Sequence, residues 1–156
     1  MDFRMVWVAG VLAQGVLPAA ESKSVWVDEL DVNASSCGWQ RTLARRSVGG
    51  NPLRLRGKTY ERGIGTHANG SFRIQLGGRG VRFQATAGID DESGAAGTVE
   101  FRVEGDDKVL WNSGVLKGNG EIKRCDVSLA NVKILQLVVD TTPDGYGFDH
   151  ADWVDA

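Results

Sequence analysis

Val99-Glu100-Phe101-Arg102-Val103-Glu104 puts an apolar residue at every second position, and Gly105-Asp106-Asp107 then turns the chain into Val109-Leu110-Trp111. A period of two sends the valines and the phenylalanine to one side of a strand and the charges to the other. That is the pattern of an antiparallel sheet with one dry and one wet face. The alternation recurs in both directions from this stretch. Upstream, Val81, Phe83, Ala85 and Ala87 alternate with Arg82, Gln84 and Thr86, and Phe72, Ile74 and Leu76 alternate with Arg73 and Gln75. Leu53-Arg54-Leu55-Arg56 repeats it after the turn Gly49-Gly50-Asn51-Pro52, and Val25-Trp26-Val27 reads as a first strand. Downstream come Ile122 to Leu129, then Leu135, Leu137 and Val139, then Ala151 to Val154. About eight such strands, divided by turn signals and with no convincing helix, predict a two-sheet antiparallel β-sandwich. The expected unit is a single all-β domain over residues 24–156.

Composition agrees. The chain has 156 residues, enough for one domain with a sizeable core, and its 21 glycines suit a turn-rich β fold. A net charge of −2 with mixed signs gives no basic footprint, so nucleic acid is not an expected partner. No apolar run reaches the roughly 20 residues that span a bilayer. Residues 1–20 differ in kind, with Arg4, an apolar stretch from Met5 to Leu17 and small residues at Ala19-Ala20. They read as a signal peptide or leader, which implies an extracytoplasmic, secreted or envelope location. Cys37 and Cys125 have no metal-ligand spacing, and the sequence leaves open whether they pair or stay free.

In a sandwich the inward faces make the core, so chemistry belongs to the loops at the sheet ends. Gly63-Ile64-Gly65-Thr66-His67-Ala68 sets one of the two histidines between close-packed glycines and a hairpin signal, Asn69-Gly70. Three other polar segments are Ser35 to Gln40 with Trp39, Asp90-Asp91-Glu92, and Pro143 to Trp153 with Tyr146, Asp149 and His150. Paired carboxylates are capable of glycosidic acid–base work, but neither a GxSxG nor an HExxH motif is present. Oxygen-rich loops suit calcium, although no EF-hand spacing occurs. A sugar site needs an aromatic platform beside directional hydrogen-bonding groups. Trp39, Tyr146 or Trp153 are candidate platforms, and His67, His150, Asp90, Asp91, Glu92 and Asp149 are candidate polar groups. For the two histidines a structural hydrogen bond is the competing reading, and for Trp26 and Trp153 it is ordinary core.

Seven segments in order then resemble one family: Gly38-Trp39, Pro52-Leu53, Tyr60 with Gly63 to Ala68, Gly88 to Glu92, Gly97 with Val99 and Phe101, Asp144-Gly145, and Asp149 to Trp153. They look like the NPCBM domain, which is similar to carbohydrate-binding module family 51. The resemblance implies a galactose-binding-like jelly roll that binds galactose-containing glycans without catalysis. It further implies attachment to secreted glycoside hydrolases and, in some members, a structural calcium. Carried onto this chain, it points to His67, Asp90-Asp91-Glu92 and Asp149-His150 as the ligand face. A protein-interaction or envelope module that has lost sugar binding, or a glycosidase fragment, are the rival readings.

Overall fold

The computed structural model describes residues 23–156. The expected leader at residues 1–20 lies outside the described residues. Eleven strands follow in order: β1 Leu43–Ala44, β2 Leu53–Leu55, β3 Lys58–Tyr60, β4 Gly63–His67, β5 Gly70–Gln75, β6 Arg82–Ile89, β7 Thr98–Gly105, β8 Lys108–Lys117, β9 Lys123–Ser128, β10 Ile134–Thr141 and β11 His150–Val154. Among the described residues there is no α-helix. Five strands form one sheet in the order β1-β4-β11-β6-β9, four form the other in the order β5-β10-β7-β8, and every pairing is antiparallel. The expected two-sheet sandwich is present.

The core lies between these sheets. Val99, Phe101 and Val103 of β7 are wholly buried, as are Leu135, Leu137 and Val139 of β10, while Phe83, Ala85 and Ala87 face them from β6. Trp153 fills the centre, 1% exposed, with the ring of Phe101 from the opposite sheet meeting it edge-on at 5.0 Å and 88°. Edge-to-face packing suits the opposite charge of ring faces and ring edges. Trp153 is therefore core.

The five-stranded sheet is also covered on its outer side. Val154 points away from the main core into a second cluster with Leu53, Leu55 and Tyr60, which belong to the separate hairpin β2–β3. Glycines make room for this cover. A Cβ on Gly65 would lie 2.4 Å from Arg46 O, and one on Gly88 would lie 3.1 Å from a Leu55 methyl. With both faces covered, every residue of β4 is buried, which is why Gly63–His67 shows no alternation.

Two sequence expectations are corrected. Val25-Trp26-Val27 is not a strand: the chain makes a 3-10 turn over Val27–Glu29, and Trp26 is 38% exposed beneath the Arg62 guanidinium, so it is not core. The cause is Asp28, whose buried carboxylate gathers Arg45, Arg62 and the Gly63 amide and so holds the segment against the end of β4. Nor does Asn69-Gly70 close a hairpin, since β4 and β5 lie in different sheets. It carries the chain from one sheet to the other, and Asn69 Oδ1 accepts from the Thr141 amide at the end of β10.

Candidate functional site

The register of β4 against β11 makes His67 and His150 direct partners on the outer face of the five-stranded sheet. Adjacent partners on one face bring side chains together, and the two imidazole centroids are 5.4 Å apart. A third ring joins them from the loop before β1. Gly38 donates its amide to His67 O at 3.2 Å and packs so closely on Ala68 that a Cβ there would lie 2.0 Å from the Ala68 carbonyl. This contact sets Trp39 over the histidines, its ring 5.2 Å from His150 in a near-parallel stack and 5.9 Å from His67. Trp39 is 44% exposed and His67 only 3%. The result is an indole platform at the surface with two imidazoles beside it.

Both imidazoles are fixed through Nδ1. That of His67 lies 2.6 Å from Ala68 O, which only accepts, so His67 Nδ1 carries a hydrogen. That of His150 lies 2.6 Å from Glu92 Oε1. Glu92 is held in turn by the loop before β2: Ser47 Oγ and Asn51 Nδ2 donate to Oε2, and the Gly49 amide donates to Oε1. Burial alone would raise the Glu92 pKa, but hydrogen bonds from Asn51, Ser47, His150 and Gly49 outweigh it and hold the carboxyl below its ordinary value. It is the carboxylate that accepts, and His150 Nδ1 is the donor.

The remaining expected residues are placed otherwise. Asp90 is buried and accepts from the Arg54 and Glu92 amides, and Asp91 accepts from the Arg56 and Gly57 amides. Their carboxylates fasten the β2–β3 hairpin to the 3-10 turn Asp91–Ser93 and do not join the ring cluster. Asp149 is buried, its Oδ1 accepting from the Thr98 amide at the start of β7. Burial raises its pKa, an effect only partly offset by the Thr98 amide and the Thr141 hydroxyl. Tyr146 stands 72% exposed in the loop between β10 and β11, and among the described residues it has no ring contact with the cluster.

Comparison with known proteins decides the family. The NPCBM/NEW2 domain family matches residues 23–156. The chain belongs to this family. Among relatives, α-1,3-galactosidase B of Akkermansia muciniphila is 36% identical over 152 residues, covering 92% of this chain but 19% of the relative. This chain therefore spans about a fifth of the length of that enzyme. Among solved structures, the CBM51 module of Clostridium perfringens GH95 in complex with methyl-galactose superposes with a TM-score of 0.77 at 29% identity, over 85% of this chain and 97% of that one. The second CBM51 module of C. perfringens ZmpB, solved with GlcNAc and neighbouring INT domains, gives 0.78 at 30% identity, over 84% of this chain and 30% of that one. These neighbours are accessory binding modules, not catalytic domains.

Against this NPCBM frame, Ser47, Gly49 and Asn51 are the site residues that the sequence reading missed. Gly49-Gly50-Asn51-Pro52 was legible as a turn, and turns expose amide donors, but nothing local shows which carboxylate they would meet. Among the described residues no three of His, Cys, Asp and Glu are grouped to hold a metal ion, and the oxygens of Asp90, Asp91 and Glu92 already face N–H and O–H donors. Cys37 and Cys125 are free thiols. Burial pushes Cys125 up to about 12, and Cys37 Sγ donates to Trp39 O at 2.9 Å within the site loop.

Proposed function

We propose that this NPCBM domain recognises galactose-containing glycans and thereby holds a larger secreted glycoside hydrolase on its substrate. One observation carries the reading: the exposed Trp39 indole lies against His67 and His150, both of which have Nδ1 tied back into the protein. The indole offers an apolar face to the C–H side of a pyranose, and each imidazole offers Nε2 to a hydroxyl. Trp39, His67 and His150 are the contacts proposed. Asp90, Asp91 and Asp149 are left as supports of the loops around them. The methyl-galactose and GlcNAc bound by the two neighbouring modules, and the galactosidase that contains a relative of this chain, support a terminal hexose as ligand and a hydrolase as partner. Secretion is part of the same proposal. Among the described residues no helix is long and apolar enough to cross a membrane.

A small open site of this kind exchanges well-bonded water for sugar, so the expected Kd is on the order of 10 µM to 1 mM. Calorimetry with methyl galactosides and N-acetylglucosamine, backed by a glycan array, tests it. Absence of binding to every galactoside would overturn the galactose assignment.

A further inference from the structure

We infer that Glu92 acts on the ligand only through His150, as a positioning residue that keeps His150 Nε2 a hydrogen-bond acceptor, so that the site selects sugar hydroxyls that donate. The inference rests on the glycan-binding reading above. A carboxylate offers about four lone-pair sites. Glu92 fills them with four donors, Gly49 N and His150 Nδ1 on Oε1, and Ser47 Oγ and Asn51 Nδ2 on Oε2. None remains for a sugar, and the side chain is only 14% exposed. Glu92 therefore cannot be a contact in the way that its place in an acidic run suggests.

Its effect is transmitted through a ring. A neutral imidazole has one N–H and one lone pair, and the hydrogen bond at one nitrogen sets the role of the other. In the neutral ring, Nδ1–H on Glu92 leaves His150 Nε2 to accept. His67 reaches the same state by another route, since the Ala68 carbonyl takes its Nδ1–H. No described residue hydrogen-bonds either Nε2. Two acceptors thus stand side by side on β4 and β11 with no adjacent donor from the same rings. A free hydroxyl satisfies such a nitrogen. A fluorine or a methyl ether in its place leaves the nitrogen unpaired when the sugar covers it, and an unpaired buried acceptor is costly.

Two measurements test this. Nitrogen-edited NMR of the imidazoles, without ligand, is expected to show His150 as the Nδ1–H form in the wild type and to lose that form in Glu92→Gln, whose one carbonyl oxygen is claimed by Ser47 Oγ and Asn51 Nδ2, so that its NH2 faces His150 Nδ1 and calls for an acceptor there. Calorimetry is expected to show methyl-galactoside affinity falling roughly tenfold or more in Glu92→Gln. An unchanged tautomer together with an unchanged Kd overturns the inference. Should the variant not fold, a series of deoxyfluoro and O-methyl galactosides on the wild type decides: at least one hydroxyl position must lose roughly tenfold on fluorination. Full retention at every position overturns the inference. Failure of the wild type to bind any glycan refutes the function proposed above instead, and the ligand-free spectra still decide whether Glu92 governs His150.

Discussion

Asp152 of β11 has its carboxyl buried against that of Asp90, and among the described residues no N–H or O–H donor reaches either Asp152 oxygen. Two carboxylates cannot both stay charged in such a place. Burial first, and then the hydrogen bond to Asp90, hold Asp152 well above the ordinary carboxyl range. Burial and the neighbouring Asp90 carboxyl thus favour the protonated form of Asp152, while Asp90 itself accepts from Arg54 and Glu92. The pair lies beneath the β2–β3 hairpin and ties it to the sheet.

The first prediction follows from that proton. The folded protein holds a proton on Asp152 more tightly than the unfolded chain, which releases it at about pH 4. Stability from this group is complete below that point and declines as pH rises towards the folded-state value. Asp152→Asn retains a donor towards Asp90 and does not titrate. It should match the wild type near about pH 4 and exceed it increasingly towards neutrality. Urea denaturation across a pH series checks this, and parallel curves for the two proteins would count against the shared proton.

Asp28 titrates in the opposite sense. Burial would raise its pKa, but Arg45, the Gly63 amide and Arg62 outweigh it and lower the value. Its contribution is present above the unfolded pKa and is lost as pH falls through the folded one. Asp28→Asn should cost about 1–3 kcal/mol at neutral pH and flatten the acid limb of the stability curve. A pH-stability profile by thermal denaturation reads both effects.

Trp39 tests the ligand platform. With nearly half its surface in water, the indole adds little to the core, so Trp39→Ala should leave the melting temperature within a few degrees. The same change should weaken galactoside binding roughly tenfold or more. Paired melting and calorimetry separate the two; a large drop in melting temperature would assign Trp39 to the fold instead.

Gly65 tests how the site is assembled. An added methyl would lie 2.4 Å from Arg46 O and 2.5 Å from Ser47 Cα, with backbone on both counts and little room to yield. Gly65→Ala should push the Arg46–Ser47 segment outward, weaken the bonds of Ser47 and Asn51 to Glu92, and reduce stability and binding together. Circular dichroism melts beside binding isotherms check the coupled loss.

What could be read in advance followed from periodicity. β6, β7 and β10 each bury one face, so their alternation marked them. β4 is covered on both sides and gave only its glycines. The 3-10 turn at Val27–Glu29 and the sheet change at Asn69-Gly70 depend on partners far away, Gly63 for Asp28 and Thr141 for Asn69. The same distance governs the site. His67, His150, Trp39 and Glu92 were all among the expected residues, and they converge. Asp90, Asp91 and Glu92 are neighbours in sequence, yet a 3-10 turn sends each carboxylate to a different set of donors. Composition cannot tell a carboxylate that meets solvent from one claimed by amides.

The bond from Glu92 to His150 spans 58 residues, and that from Ser47 to Glu92 spans 45. The proposed ligand face is thus assembled from segments far apart in the chain, and a sugar that binds it binds the folded protein alone. A glycan present at about 100 times its Kd would then raise the free energy of unfolding of the entire sandwich by about 2.7 kcal/mol. On the proposed reading the domain would be its own thermal reporter: a sugar placed on the three rings would protect the Trp153 core on the opposite side of the sheet.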